Sequence, residues 1–263
     1  MSDRSLSYRT YDLGTLTFYD AWVLGVSCTA AWKTPLHGVL LPFFRAHFSE
    51  AHLDIGVGTG YFPATVLAEK KTGGKQGLTI MDLSKTALEK TKQRVEATAP
   101  YVNVRAVEAD CTTVSEMLLA EDNSNKFDSI SASMLFHCIP QPTAQKASGL
   151  FRTAARLLSR NGTFYGCTVL GSTTRKTTTP SPTIDWLPGG ETTFNEEASA
   201  KGMNWFAWAL MWFYNRAGIF TNWGDGPDGI VEALEGEFGV VESWVIGRVL
   251  FFRARVPKVS RVE

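Results

Sequence analysis

The chain has 263 residues, 44% hydrophobic and 12% aromatic, and its 26 basic and 26 acidic residues cancel to a formal net charge of +0. This is one domain of ordinary size with ample core material, and the balanced charge argues against a protein that tracks nucleic-acid phosphates. No run approaches the roughly 18 apolar residues of a membrane span, and Met1–Ser5 lacks the basic-then-apolar order of a signal peptide.

Residues 1–50 are read as an apolar helical cap. Tyr19, Trp22, Val23 and Val26 recur at helical spacing, as do Val39, Leu40, Phe43, Phe44 and Phe48. Lys33-Thr34-Pro35 divides the two segments, because the residue before a proline leaves the helical region. A cap here can close over a ligand and bring Tyr19 and Trp32 to its pocket. Next, His52-Leu53-Asp54-Ile55 reads as a strand, followed by Gly56-Val57-Gly58-Thr59-Gly60. Glycines so close after a strand let the backbone turn without Cβ clashes and present main-chain N–H groups at the start of the next helix. Pro63 fits that helix's first turn.

Gly77–Asp82 is a second buried strand ending in an acid. Asp82 stands where an α/β cofactor fold places its ribose-binding carboxylate. Ser84 is suited to cap the helix whose Ala87, Leu88, Thr91 and Val95 share one face. Val102–Val107 is the third strand, running to Asp110-Cys111, and Phe127–Met134 is the fourth, leading into Leu135-Phe136-His137-Cys138-Ile139-Pro140. A helix over Ala144–Leu158, a turn at Arg160-Asn161-Gly162 and a fifth strand, Gly162–Leu170, follow.

Residues 171–226 exceed a plain connection. Ser172–Pro182, rich in Thr and Pro, is expected to be mobile, whereas Met203–Tyr214 is apolar on every side. Five of the eight tryptophans fall in this insertion. It reads as a lid whose inner face, formed by Trp186, Trp205, Trp208 and Trp212, lines a pocket for an apolar or aromatic acceptor; core packing or a homodimer interface are the other uses of that surface. Val240–Ile246, Gly247-Arg248 and Val249–Val256 close the chain as an antiparallel hairpin.

The glycine loop is G-x-G-x-G with Asp54 ahead of it, one residue short of the nicotinamide fingerprint G-x-G-x-x-G. It resembles motif I of the class I S-adenosylmethionine (SAM) methyltransferases, and the order of Asp82, Asp110, the fourth strand and the closing hairpin resembles that family too. The stretches Leu135–Pro140, Phe164–Thr168 and Tyr214–Asn222 are similar to a microbial subgroup associated with small-molecule and natural-product chemistry. One departure is Gln141 after Pro140, where that subgroup commonly has glycine.

The resemblance implies a doubly wound, mostly parallel seven-stranded sheet with an antiparallel end, an N-terminal helical cap (1–50) and an insertion (171–226), all one domain over 1–263. It implies SAM as cofactor, held by Asp54 near its amino group, by Gly56, Gly58 and Gly60, by Asp82 and Leu83 at the ribose, and by Asp110 and Cys111 at the adenine. The N/D-P-P-Y/F tetrapeptide of enzymes that methylate DNA amines is absent, as are a Pro-Cys pair and an acidic metal triad.

The expected activity is methyl transfer to a hydroxyl or enol of a polyketide-like small molecule. N- or C-methylation, or a pericyclic cyclisation on the same fold, are the alternatives. His137, just past the fourth strand, is the expected general base. Neither a metal, a nucleic-acid partner nor a membrane is expected. The four separated cysteines (28, 111, 138 and 167) read as reduced thiols of a cytoplasmic protein.

Overall fold

The computed structural model describes residues 20–70, 76–113, 126–171, 183–187 and 203–258. Two π-wound segments, Asp20–Ala31 and Leu36–Leu40, lead into α1 (Leu41–His47), which carries a proline in its first turn. The strands are β1 (Ala51–Ile55), β2 (Gly77–Asp82), β3 (Asn103–Glu108), β4 (Phe127–Ser133), β5 (Leu158–Val169), β6 (Phe238–Ile246) and β7 (Val249–Pro257). The helices after α1 are α2 (Tyr61–Lys70), α3 (Lys85–Thr98), α4 (Thr143–Leu157), α5 (Trp205–Arg216) and α6 (Pro227–Glu237).

The seven strands lie in the order β3-β2-β1-β4-β5-β7-β6. β1 to β5 are parallel, and β7 enters antiparallel between β5 and β6. The expected hairpin is present: Ile246 pairs with Val249, and Gly247 makes the turn with φ +59°, a conformation that favours glycine.

The two faces of the sheet are covered by separate cores. On one, Phe43 and Phe44 of α1 meet the Tyr165 ring edge-on at 5.8 and 5.6 Å, and Phe44 stacks on Phe62 of α2 at 5.2 Å. On the other, Phe151 of α4 packs on Phe164 and Phe252, with Ile230 and Leu234 of α6 buried in the same cluster. Ser84 caps α3 by accepting from the Ala87 amide at 3.3 Å, and all four residues of the expected apolar face are buried.

The turn expected at Arg160–Gly162 is instead a bulge inside β5, because the strand begins at Leu158 and its pairing with β4 shifts between Phe127 and Ser129. Strand order reverses between β1 and β4. The loops after these two strands therefore face each other across the crevice where doubly wound sheets hold ligands.

Candidate functional site

Three glycines shape the loop after β1, and all have positive φ: +69° at Gly56, +56° at Gly58 and +69° at Gly60. Their surroundings differ. A Cβ on Gly56 would lie 2.5 Å from the Leu135 side chain, and one on Gly60 2.6 Å from Thr91, whereas one on Gly58 meets nothing within 4 Å. The outer glycines are closed by packing, and the middle one opens on free space. The loop is tied down from below: the Gly56 amide donates to the Met81 carbonyl at 2.7 Å, the Gly58 amide to an Asp82 carboxylate oxygen at 3.4 Å, and Arg94 to the Thr59 carbonyl at 2.9 Å.

Acidic groups gather at the carboxyl ends of the first three strands. Asp54 is buried and accepts from the Ser131 hydroxyl at 2.5 Å. Burial pushes its carboxyl up to about 7, with the nearby charge of Asp82 adding to the rise and the Ser131 bond opposing it. Burial likewise raises Asp82, opposed by main-chain N–H groups of residues 84, 58 and 83. Asp110 accepts from the amide and hydroxyl of Thr112 through one oxygen, at 2.8 and 2.7 Å. Cys111 is buried, and its thiol is raised to about 12 by burial and by the charges of Asp110 and Asp82. Leu83 stands 40% exposed at the rim.

These positions fit a SAM molecule. Gly58 leaves open space beside the loop, and Asp54, Asp82 and Asp110 place acceptors at the ends of successive strands, which suits a ligand with an ammonium group and several hydrogen-bond donors. Among the described residues no group of three His, Cys, Asp or Glu side chains has a metal-holding arrangement.

Opposite the glycine loop, Phe136–Cys138 forms one 3₁₀ turn after β4. His137 is buried there. Its Nδ1 lies 3.1 Å from the Thr168 hydroxyl and accepts the Val169 main-chain N–H at 3.2 Å. A main-chain N–H can only donate, so Nδ1 carries a lone pair and the neutral ring holds its proton on Nε2. Burial, and then the charge of Lys146, lower the imidazole to about 3. This arrangement opposes the general-base role expected of His137: Nε2 is already protonated, and protonating Nδ1 would sacrifice the Val169 bond. In this tautomer Nε2 is the ring's donor.

The segment after α5 clamps this turn. Gly218, with φ +69°, ends the helix in the manner of a left-handed C-cap. The Thr221 amide then donates to the His137 carbonyl at 2.8 Å, and the Thr221 hydroxyl to the Ile139 carbonyl at 2.5 Å. Asn222 bridges Asn215 and the Val169 carbonyl at 3.0 and 2.8 Å. Beneath them, Lys146 of α4 and Asp225 form a fully buried ion pair at 2.6 Å, completed by the Thr143 hydroxyl and the Thr221 carbonyl.

Phe220 stands edge-on to His137 at 4.3 Å and lies 4.7 Å from Tyr214 and 6.2 Å from Trp32 between ring centroids. Ser27 and Tyr214 share a 3.3 Å hydrogen bond. Trp32 is thus a fully buried neighbour of Phe220. Its buried indole N–H has no hydrogen-bond partner among the described residues.

The other expected acceptor contacts are not brought together. Trp186 is a core residue, edge-on to Phe43 at 4.8 Å and stacked on Phe251 at 5.6 Å over the hairpin strands. Trp205, Trp208 and Trp212 lie on the outer face of α5, 80%, 50% and 51% exposed, while Ala207, Met211 and Tyr214 form its buried face. A helix apolar all round carries no period that marks its buried side, so the sequence alone does not distinguish the tryptophan face from that of Ala207, Met211 and Tyr214. Tyr19 and Ser172–Pro182 lie outside the described residues.

Sequence reasoning overlooked His52, Ser131, Tyr214, Phe220 and the Lys146–Asp225 pair. For the first two a signal exists: His52 and Asp54 alternate on β1 opposite Ser129 and Ser131 on β4, a polar ladder within buried strands. The ion pair joins residues distant in sequence and has no local signature.

The sequence model of a family described as "Methyltransferase domain" matches residues 53–162, the span from β1 to the start of β5. Over 281 aligned residues the chain is 35% identical to the O-methyltransferase NEC2 of Pyricularia oryzae, covering 98% of this chain and 95% of that one. It is 34% identical to a physcion biosynthesis cluster O-methyltransferase of Aspergillus chevalieri, covering 95% and 94%. Among solved structures it aligns with the N-methyltransferase NodS of Bradyrhizobium japonicum in complex with S-adenosyl-L-homocysteine (SAH), with TM-score 0.54, 12% identity and coverage of 97% and 100%. It also aligns with an O-methyltransferase family protein from Burkholderia thailandensis, with TM-score 0.56 and 15% identity, covering 95% of this chain but only 62% of that longer one. With its glycine cradle, its row of strand-end acids and its antiparallel closing hairpin, the chain belongs to the class I SAM-dependent methyltransferases, in their natural-product subgroup.

Proposed function

We propose that this methyltransferase acts on oxygen, methylating an enolic or phenolic hydroxyl of a polyketide-like small molecule. The observation that carries the reading is the state of His137. Bound in the Gly58 cradle, SAM supplies a methyl carbon on a positively charged sulfur. The protein aligns the acceptor with that carbon in a dry site, where orientation is worth ~7–11 kcal/mol. A strong proton acceptor beside the crevice would suit an aliphatic alcohol, but His137 can only donate there. The arrangement favours an acceptor that ionises readily by itself, whose oxygen accepts from the Nε2–H of His137.

The ring cluster of Phe220, Tyr214 and Trp32 packed beside His137 supports an aromatic acceptor. The O-methyltransferase names of the two fungal relatives point the same way. Asp54, Asp82, Leu83, Asp110 and Cys111 are the cofactor contacts of this reading.

Incubation with SAM and a panel of phenols, enols, amines and activated carbon acids, followed by mass spectrometry and NMR, tests it. Phenolic or enolic products carrying one added O-methyl group are expected. Methylation confined to nitrogen or carbon, or isomerisation of a polyene with no methyl gained, would overturn it.

A further inference from the structure

Behind the cofactor loop runs a chain of buried polar groups that the methyl-transfer reading does not use. His52, two residues before Asp54 and on the same side of β1, is fully buried. Its ring lies 4.3 Å from that of Phe48 and edge-on to that of Phe44 at 5.7 Å. Its Nδ1 is 2.7 Å from the Ser129 hydroxyl and its Nε2 is 3.0 Å from the Ser131 hydroxyl. Ser131 in turn reaches Asp54, and Ser129 accepts the Ser49 main-chain N–H at 3.0 Å.

With Asp54 ionised, one set of bond directions is consistent along this chain, and the Ser49 hydroxyl, 2.7 Å from that of Ser129, completes it as a donor. An ionised Asp54 can only accept, so Ser131 must donate its one proton there. The Ser131 oxygen then accepts from His52 Nε2–H. The neutral ring has no second proton, so Nδ1 accepts from Ser129, whose oxygen is held by the Ser49 amide. All the dipoles point toward the carboxylate, and such aligned chains strengthen one another in a low-dielectric interior.

We propose that His52 is a positioning residue for the cofactor: acting through Ser131, it holds the buried Asp54 carboxylate ionised and oriented toward the ammonium group of the methionine end. This rests on the reading that Asp54 faces that group.

The test compares two ligands by isothermal titration: SAH, which carries the ammonium, and 5′-methylthioadenosine, which lacks the whole amino-acid end. His52→Phe keeps the ring packing and removes both nitrogens. It is expected to weaken SAH roughly tenfold and to leave methylthioadenosine unchanged. Ser131→Ala, a smaller change that protects the test against a misfolded His52 variant, should show the same selectivity. The double variant should be no worse than Ser131→Ala alone, since coupled residues do not add.

Equal losses for both ligands, unchanged SAH affinity in the single variants, or additive effects in the double variant would each overturn the proposal. Asp54→Asn separates the two levels. If it leaves SAH affinity intact, the assignment of Asp54 itself falls and the role of His52 falls with it. If it weakens SAH while His52→Phe and Ser131→Ala do not, only the role of His52 fails.

Discussion

The Val169 main-chain N–H donates into Nδ1 of His137 at 3.2 Å, and this contact between β5 and the turn after β4 sets what the imidazole can do. With its proton on Nε2, His137 should behave as a donor. His137→Ala is expected to lower kcat at least tenfold while SAH still binds, and His137→Gln, which keeps an N–H, to recover part of the loss. The wild-type kcat profile should show no ionisation near pH ~6.5, the ordinary imidazole value. An inflection there that vanishes in His137→Gln would restore the base.

The same burial makes His137 a source of acid sensitivity. Its folded value is about 3, below the unfolded ~6.5. Between the two the unfolded chain binds a proton that the native ring refuses, so stability is lost as pH falls from about 6.5 toward 3. The slope is ~1.4 kcal/mol per pH unit for this one group. Urea unfolding at pH 7 and pH 5 should therefore show wild type losing more stability than His137→Gln, by ~2 kcal/mol at most.

Alanine substitution separates the three loop glycines. Gly58→Ala places its methyl in open space, so the fold should lose only the ~1–2 kcal/mol of a left-handed non-glycine residue, while cofactor affinity falls more than tenfold. Gly56→Ala adds a collision with Leu135 to the same backbone cost and should destabilise further by ~1–3 kcal/mol. Thermal melts with and without SAH distinguish the two patterns.

Lys146→Met leaves Asp225 charged and buried without its partner. The expected cost is ~3–5 kcal/mol, read from denaturant midpoints. Replacing both members with apolar residues should recover much of it, although Thr143 then loses its acceptor. Because Thr221 and Asp225 share this anchor, the single variant should also raise the acceptor KM.

Trp208→Ser and Trp212→Ser change an outward face of α5. The acceptor KM is expected to stay within twofold of wild type, and stability within ~0.5 kcal/mol. Tyr214→Ala, on the buried face beside Phe220, should cost ~3–5 kcal/mol and raise that KM.

Much of the fold was legible because its signals are local. The glycine loop, the acids at the ends of β1, β2 and β3, the Ser84 cap and the Gly247 turn each need only a few neighbouring residues to declare themselves. The Arg160–Gly162 stretch misled for the same reason: its turn-forming residues are real, but pairing with β4 absorbs them as a bulge. The orientation of α5 was illegible, since Trp205, Trp208 and Trp212 are no less apolar than Met211 and Tyr214.

By itself, the amino-acid order determined the class of this protein, through short-range spacing that dictates backbone conformation and places Asp54, Asp82 and Asp110 at successive strand ends. Only the tertiary structure decided the chemistry available to them. The proton of His137 is assigned by Val169, and that of His52 by an ionised Asp54 acting through Ser131 on another strand. A tautomer depends on which donor or acceptor the fold brings to each ring nitrogen, and that partner is chosen by strand register rather than by nearness along the chain.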